Sequence, residues 1–186
     1  MTDTPLDLTP KAALLVVDLQ AGTAAGSFAD PIDGVVANAA HLADTFRARD
    51  LPVALARATR LPVGRTAHGG GARQLPPQWS DPLDALPDAS GDLVVTKSGW
   101  SAFAGTTLDE QLHSRGVSTV VVVGVATTFG IESTVRSAYD LGYDVVVVTD
   151  AVTDMSRELH DDALSRRLPI MARLAAVDEI VEALGR

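Results

Sequence analysis

The stretch VSTVVVVGVATTFGIESTVRSAYDLGYDVVVVTDA, residues 117–151, decides the fold. Two runs of valine flank a segment with helical spacing. The pattern predicts a strand over 117–123 stopping at Gly124, a helix over 132–141, a helix-ending glycine at Gly142 and a second strand over 145–149 stopping at Asp150. Neither strand alternates apolar with polar residues, as half-exposed strands do. Both are therefore expected to be covered on both faces, as strands of a parallel sheet with flanking helices are.

Working outward, the same unit recurs. AALLVV at 12–17 is a buried run closed by Asp18, VALA at 53–56 follows Leu51-Pro52, and LVVT at 93–96 is closed by Lys97. A short sixth strand is expected near 173–176. Helices are expected over 31–49, 108–115, 158–167 and 178–184, with Gly116 as a further helix-ending glycine. Strands alternating with helices define an α/β domain with a parallel sheet, taken as one unit over residues 1–186. In such sheets ligands bind beyond the strand C-termini. The one irregular stretch, 59–91, is rich in Gly and Pro and too long for a plain connector. With Trp79 and Leu75-Pro76-Pro77 in it, this stretch is expected to cover a pocket.

Composition narrows the function. Hydrophobic residues are 46% of the chain but aromatics only 4%, so the core must be aliphatic. A formal net charge of -9 sets an acidic field that repels phosphate, which disfavours a nucleic acid partner. No leader pattern or apolar run of membrane-spanning length occurs, so a cytoplasmic protein without a membrane partner is expected. The chain contains no cysteine. Disulfides, thiolate metal sites and thiol nucleophiles are thereby excluded.

Three features can carry chemistry. Asp18 closes the first strand, where the fold controls its proton affinity, although an aspartate there can equally cap a turn. Lys97 closes the third predicted strand and can pair with a carboxylate across the strand ends, although an isolated lysine is more often a solvated charge. The segment GVATTFGIEST at 124–134 runs from a strand into a helix, which aims amide donors and a positive dipole end at an anion. Gln20, Trp100, Phe103 and Phe129 cluster in sequence beside these features and are expected to line a pocket for a small-molecule substrate. Arg57, Arg60 and Arg65 are candidates for binding a substrate carboxylate. Thr127, Thr128 and Ser133 are hydroxyls near the turn, but no histidine is expected beside them to activate one.

Taken in order, VVDLQ, TKSGWSAFAGTTLDEQL and VVVGVATTFGIESTVRSAYDLGYDVVVVTDA resemble the isochorismatase-like hydrolase superfamily, also called the cysteine hydrolase or nicotinamidase-related family. The resemblance covers residues from about 12 to 151. It implies a three-layer α/β/α sandwich around a six-stranded parallel sheet. It further implies an Asp–Lys–Cys site whose first two members fall on Asp18 and Lys97, a cis bond at Val125–Ala126, and a homodimer or homotetramer. The departure lies at the third member. The residue matching the family's cysteine is Gly130. An acyl-enzyme on a thiol is excluded.

Nicotinamidases bind a metal through an Asp-x-His and a further His after the second strand. Here ARATRLPVGRT offers only His68 nearby, so no metal and no other cofactor is expected. Glycine at the cysteine position also occurs in family members that hydrolyse vinyl ethers. For them the resemblance implies Asp18 as general acid, with Val125 and Ala126 beside the substrate and Gly130 leaving room for it. The residues leave two alternatives open. Asp18 acts as a base on water for amide or ester hydrolysis, or the protein silently binds a small ligand.

Overall fold

The computed structural model describes residues 6, 8, 12–67, 69–70 and 75–185. In chain order the elements are β1 (Ala12–Val17), α1 (Ala21–Ala24), α2 (Ile32–Arg47), β2 (Val53–Ala58), the hairpin strands β3 (Arg65–Thr66) and β4 (Gly69–Gly70), β5 (Leu93–Lys97), α3 (Leu108–His113), β6 (Thr119–Val125), α4 (Glu132–Asp140), β7 (Asp144–Thr153), α5 (Arg157–Asp162), β8 (Arg173–Ala175) and α6 (Val177–Leu184). Six strands form one parallel sheet in the order β5-β2-β1-β6-β7-β8.

The six residues of β1 and the seven of β6 are all buried, as the unalternating runs require. Successive side chains point to opposite faces. Leu14, Val16, Val121 and Val123 meet α2 and α6 on one face, while Leu15, Val17, Val120 and Val122 meet α3 and α4 on the other. Each such side chain contributes about 1.5–3 kcal/mol by leaving water. Helix α2 shows why the layers adhere: Val35, Val36, Ala39, Leu42, Ala43 and Phe46 recur at helical spacing and are all buried.

The chain builds outward from β1 through β2 to β5, then crosses to β6 and builds the other way. The order therefore reverses between β1 and β6, and the strand ends diverge there into a crevice suited to ligands. Gly124 marks the closest approach. Its φ is +122°, and a Cβ on it would strike the Val17 carbonyl opposite, so only glycine fits.

Several strand ends fall later than the sequence pattern predicts, β2 reaching Ala58 and β5 taking in Lys97. β6 passes Gly124 to Val125, and β7 passes Asp150 to Thr153. Asp150 is therefore not a strand-end ligand position; its Oδ1 accepts from the Val177 amide at the start of α6. Beyond Asp150 the strand regains buried residues at Ala151, Val152 and Thr153, a second apolar step hidden by the polar Thr149-Asp150 pair. A π-helical turn over Thr127–Ile131 precedes α4.

Candidate active site

Three chain segments meet at the crevice. The first is the end of β1. Asp18 has a left-handed φ of 55°, a conformation aspartate tolerates better than most residues. Its amide donates to Ala56 O at 2.9 Å, while its own carbonyl accepts from the Gln20 amide at 3.1 Å and from the Thr23 hydroxyl. The turn that results aims the carboxyl along the sheet edge.

The second segment is the end of β5. Lys97 is 2% exposed. Its Nζ lies 2.7 Å from Asp18 Oδ2 and donates to the Gly99 and Trp100 carbonyls at 3.0 and 2.9 Å. An ammonium has three donors, and all three are engaged. The Ser-Gly-Trp turn after Lys97 curls back to supply two of the acceptors. It is pinned to α4 by the Ser101 hydroxyl on Ser137 and the Ala102 amide on Thr134 Oγ1.

The third is the turn after β6. The Val125–Ala126 bond is cis, and Gly130 sits in the π-helical turn that follows. A Cβ on Gly130 would stand 2.7 Å from Val125 O, 3.0 Å from Asp18 Oδ2 and 3.2 Å from Val17 Cγ1. The position matching the cysteine thus abuts the Asp18 carboxyl, and the backbone here is closed around hydrogen.

The electrostatics of Asp18 are set chiefly by burial. Burial pushes its carboxyl above the ordinary carboxylate range, against the opposing pull of the Lys97 ammonium. Oδ1 is buried with no hydrogen-bond partner, so the desolvation of that oxygen goes uncompensated, while the Ala58 backbone adds to the opposing pull of Lys97.

These groups border a cavity of about 340 Å³. Trp100, Phe129, Val125 and Ala126 line it, as does Trp79 from the irregular stretch. Trp100 meets Phe129 edge-on at 5.1 Å between ring centroids. Two expected wall residues lie elsewhere. Phe103 is in the core, where its ring gains burial against Tyr143, 5.7 Å between centroids, and the surrounding aliphatic side chains instead of facing the crevice. Gln20 is fully buried. Its amide holds Ala58 through both carbonyl and N–H, at 2.8 Å each, and Trp79 O at 3.0 Å. Gln20 therefore fastens the covering stretch to β1 and β2.

The candidate anion anchors are likewise placed elsewhere. Arg57 pairs with Asp88, and Arg60 and Arg65 are exposed away from the cavity wall. Of the amides expected to face a ligand, that of Thr128 donates to Asp154 Oδ2 at 2.7 Å and that of Phe129 to Ala126 O at 3.0 Å. His68 lies outside the described residues. Among the described residues no cluster of three or more His, Asp or Glu is arranged to hold a metal ion.

A histidine does stand beside the turn, contrary to expectation. Thr127 Oγ1 and His160 Nδ1 are 2.8 Å apart, both buried, with Asp30 Oδ2 3.9 Å from His160 Nε2. Neither Thr127 nor His160 borders the Asp18 cavity, so the pair locks the turn from behind. Asp154, just past β7, was also missed. Its signal was the second apolar step AVT before it.

A parallel α/β sheet with a buried carboxyl–ammonium pair at its point of reversal defines a hydrolase-like crevice of the three-layer class. The particular family follows from sequence. Residues 12–179 match the isochorismatase domain, and the chain belongs to the isochorismatase family of hydrolases. It is 38% identical to the isochorismatase family protein YecD of Escherichia coli O157:H7, across 96% of this chain and 100% of that one. It is 31% identical to nicotinamidase 3 of Arabidopsis thaliana, across 93% and 88%. The structure of an isochorismatase family protein from Burkholderia thailandensis superposes with a TM-score of 0.90 at 36% identity, covering 98% of this chain and 100% of that one. No helix among the described residues is long and apolar enough to cross a membrane.

Proposed function

We propose that the protein hydrolyses an enol ether without a covalent intermediate, with Asp18 as general acid and Lys97 as its positioning partner. The observation carrying this reading is that the only carboxyl on the cavity wall, among the described residues, is buried, its proton affinity raised by that burial, and stands beside a glycine where the family has its nucleophile. Thr127, the nearest hydroxyl with a histidine, faces away.

The chemistry balances with one carboxyl. Asp18 donates its proton to the terminal enol carbon as the double-bond electrons form the new C–H bond, leaving an oxocarbenium ion. Water adds to the cationic carbon and returns a proton to the Asp18 carboxylate. The hemiketal then breaks its C–O bond to the alkoxy group as the hydroxyl proton passes to the leaving oxygen, giving a ketone and an alcohol. Lys97 keeps Oδ2 fixed throughout and stabilises the transient carboxylate.

A second reading is favoured by the 2.7 Å Asp18–Lys97 contact: an ionised Asp18 acting as base on water, in amide or ester hydrolysis. Steady-state hydrolysis of α-methoxystyrene to acetophenone and methanol tests the first reading. Asp18→Asn is expected to lower kcat/KM by about 10²-fold or more. Unchanged turnover in the folded variant removes Asp18 from the mechanism. The pH profile separates the two roles: an acid loses activity as pH rises through its raised pKa, whereas a base gains it.

A further inference from the structure

We propose that the Asp18 cavity selects uncharged, largely apolar substrates and rejects carboxylates, with Trp79 and Trp100 as specificity-determining residues. The inference rests on the reading of Asp18 as the reactive group and adds the substrate class that the wall accepts.

The first argument is composition of the wall. The chain is poor in aromatics, yet both of its tryptophans and two of its four phenylalanines, Phe28 and Phe129, border this one cavity. Leu61 and Met155 complete its apolar rim, 41% and 60% exposed, and Trp100 is 49% exposed beside them. Tryptophans half open to solvent at a cavity mouth are surfaces for apolar or aromatic groups.

The second argument is that the candidate cationic side chains and two of the turn amides are engaged or remote. Asp18 is the sole charged side chain on the wall among the described residues. The ammonium of Lys97 lies behind it, 2% exposed, with three acceptors in place. Arg57 is held by Asp88, and the Thr128 and Phe129 amides are turned to Asp154 and Ala126 O. A carboxylate entering this cavity would exchange water for aromatic rings and a like-charged or neutral carboxyl. Such a transfer is costly without a partner.

The third argument concerns what polar group the wall does accept. The two buried side-chain polar atoms without a hydrogen-bond partner among the described residues, Asp18 Oδ1 and Trp79 Nε1, belong to residues of this wall. Both atoms are closed off from solvent, so a ligand with one neutral oxygen acceptor on an apolar body is expected to reach the Trp79 indole N–H by shifting that ring, which lies directly on Gly22 where a Cβ would collide with it.

The experiment is a binding titration that does not depend on turnover. In the ¹⁵N-labelled full chain the two indole N–H cross-peaks come from Trp79 and Trp100 and report the cavity directly. Three probes of similar size differ only in polarity: acetophenone has one neutral acceptor, ethylbenzene has none and benzoate carries a charge. Acetophenone is expected to shift both indole peaks saturably, ethylbenzene to bind more weakly, and benzoate to bind at least about tenfold more weakly than acetophenone. Trp100→Ala, at an exposed position, is expected to weaken acetophenone severalfold. Met155→Arg, which supplies the missing cation at the rim, is expected to raise benzoate affinity about tenfold. Benzoate binding as tightly as acetophenone in the wild-type chain overturns the proposal, as does acetophenone leaving both indole peaks unmoved at millimolar concentration. If these probes bind as expected while Asp18→Asn retains full turnover, the catalytic reading fails and the specificity reading stands.

Discussion

Asp18 and Asp154 are two buried carboxylates flanking the same turn, and they differ in how fully they are satisfied. Asp18 follows β1 and Asp154 follows β7, on either side of the β6 turn. Asp154 is 1% exposed. Its Oδ2 accepts from the amide and hydroxyl of Thr128, and its Oδ1 from the Met155 amide at 2.7 Å. Asp18 has Lys97 on Oδ2, no partner on Oδ1, and the cavity beside it. Similar burial thus yields a strut in one case and, in the function we propose, the reactive group in the other. The difference lies in how many donors reach the two oxygens: three hold the Asp154 carboxylate in place, while Asp18 leaves Oδ1 unpaired.

Replacing each in turn exposes the contrast. Asp18→Asn is expected to abolish at least about 99% of turnover while keeping the fold, because the amide preserves the shape and removes a buried carboxyl. The same variant reads the proton. A carboxyl whose folded pKa is raised above its unfolded value stabilises the fold below the ordinary carboxylate range, and that contribution is lost as pH rises through the raised value. Wild-type stability relative to Asp18→Asn should therefore improve toward acid in urea titrations. A relative loss toward acid identifies an ionised pair instead.

Asp154→Ala is expected to act oppositely, on stability first. It strands the Thr128 and Met155 amides in a buried site, at a cost of roughly 2–4 kcal/mol, visible as a lowered thermal midpoint. Gly130→Ala falls between the two. A methyl group must displace Val125 O or Asp18 Oδ2 by some tenths of an ångström, and kcat/KM is expected to fall about tenfold through misplacement of the acid. Wild-type activity in this variant would mean that the spacing between Gly130 and Asp18 is immaterial.

How much of this was legible in the sequence depends on the distance over which the deciding interaction acts. The sheet was legible because Ala12–Val17 and the valine runs of β6 and β7 carry their burial in their own composition. Asp18 and Lys97 were legible because each stands at the end of such a run, and Gly130 because it lies in the turn motif that carries the family resemblance. Phe103 and Gln20 were misplaced because neighbours in sequence need not share a face. The Phe103 ring packs in the core against Tyr143 from the segment before β7, and Gln20 finds partners 38 and 59 residues away. His160 was invisible for the same reason, and Asp154 was marked only by the short apolar step before it. Their roles exist only once β7 runs past the polar Thr149-Asp150 step and α5 folds back onto the turn.

The Thr127–His160 pair supplies the mildest test, and it probes whether the rear of the turn matters to the front. Thr127→Val keeps the shape and leaves His160 Nδ1 without its hydroxyl partner, which is expected to cost about 1–2 kcal/mol. His160→Leu alone strands the hydroxyl in the same way. The double variant removes both polar atoms, so its loss should be smaller than the sum of the single losses by about 0.5–1.5 kcal/mol. Hydrolysis by the double variant then reports on the comparison directly. Because the pair braces a turn already held by Asp154 on its other side, kcat is expected to stay within about threefold of wild type. A fall comparable to that of Asp18→Asn would move Thr127 from bracing the turn to taking part in the chemistry.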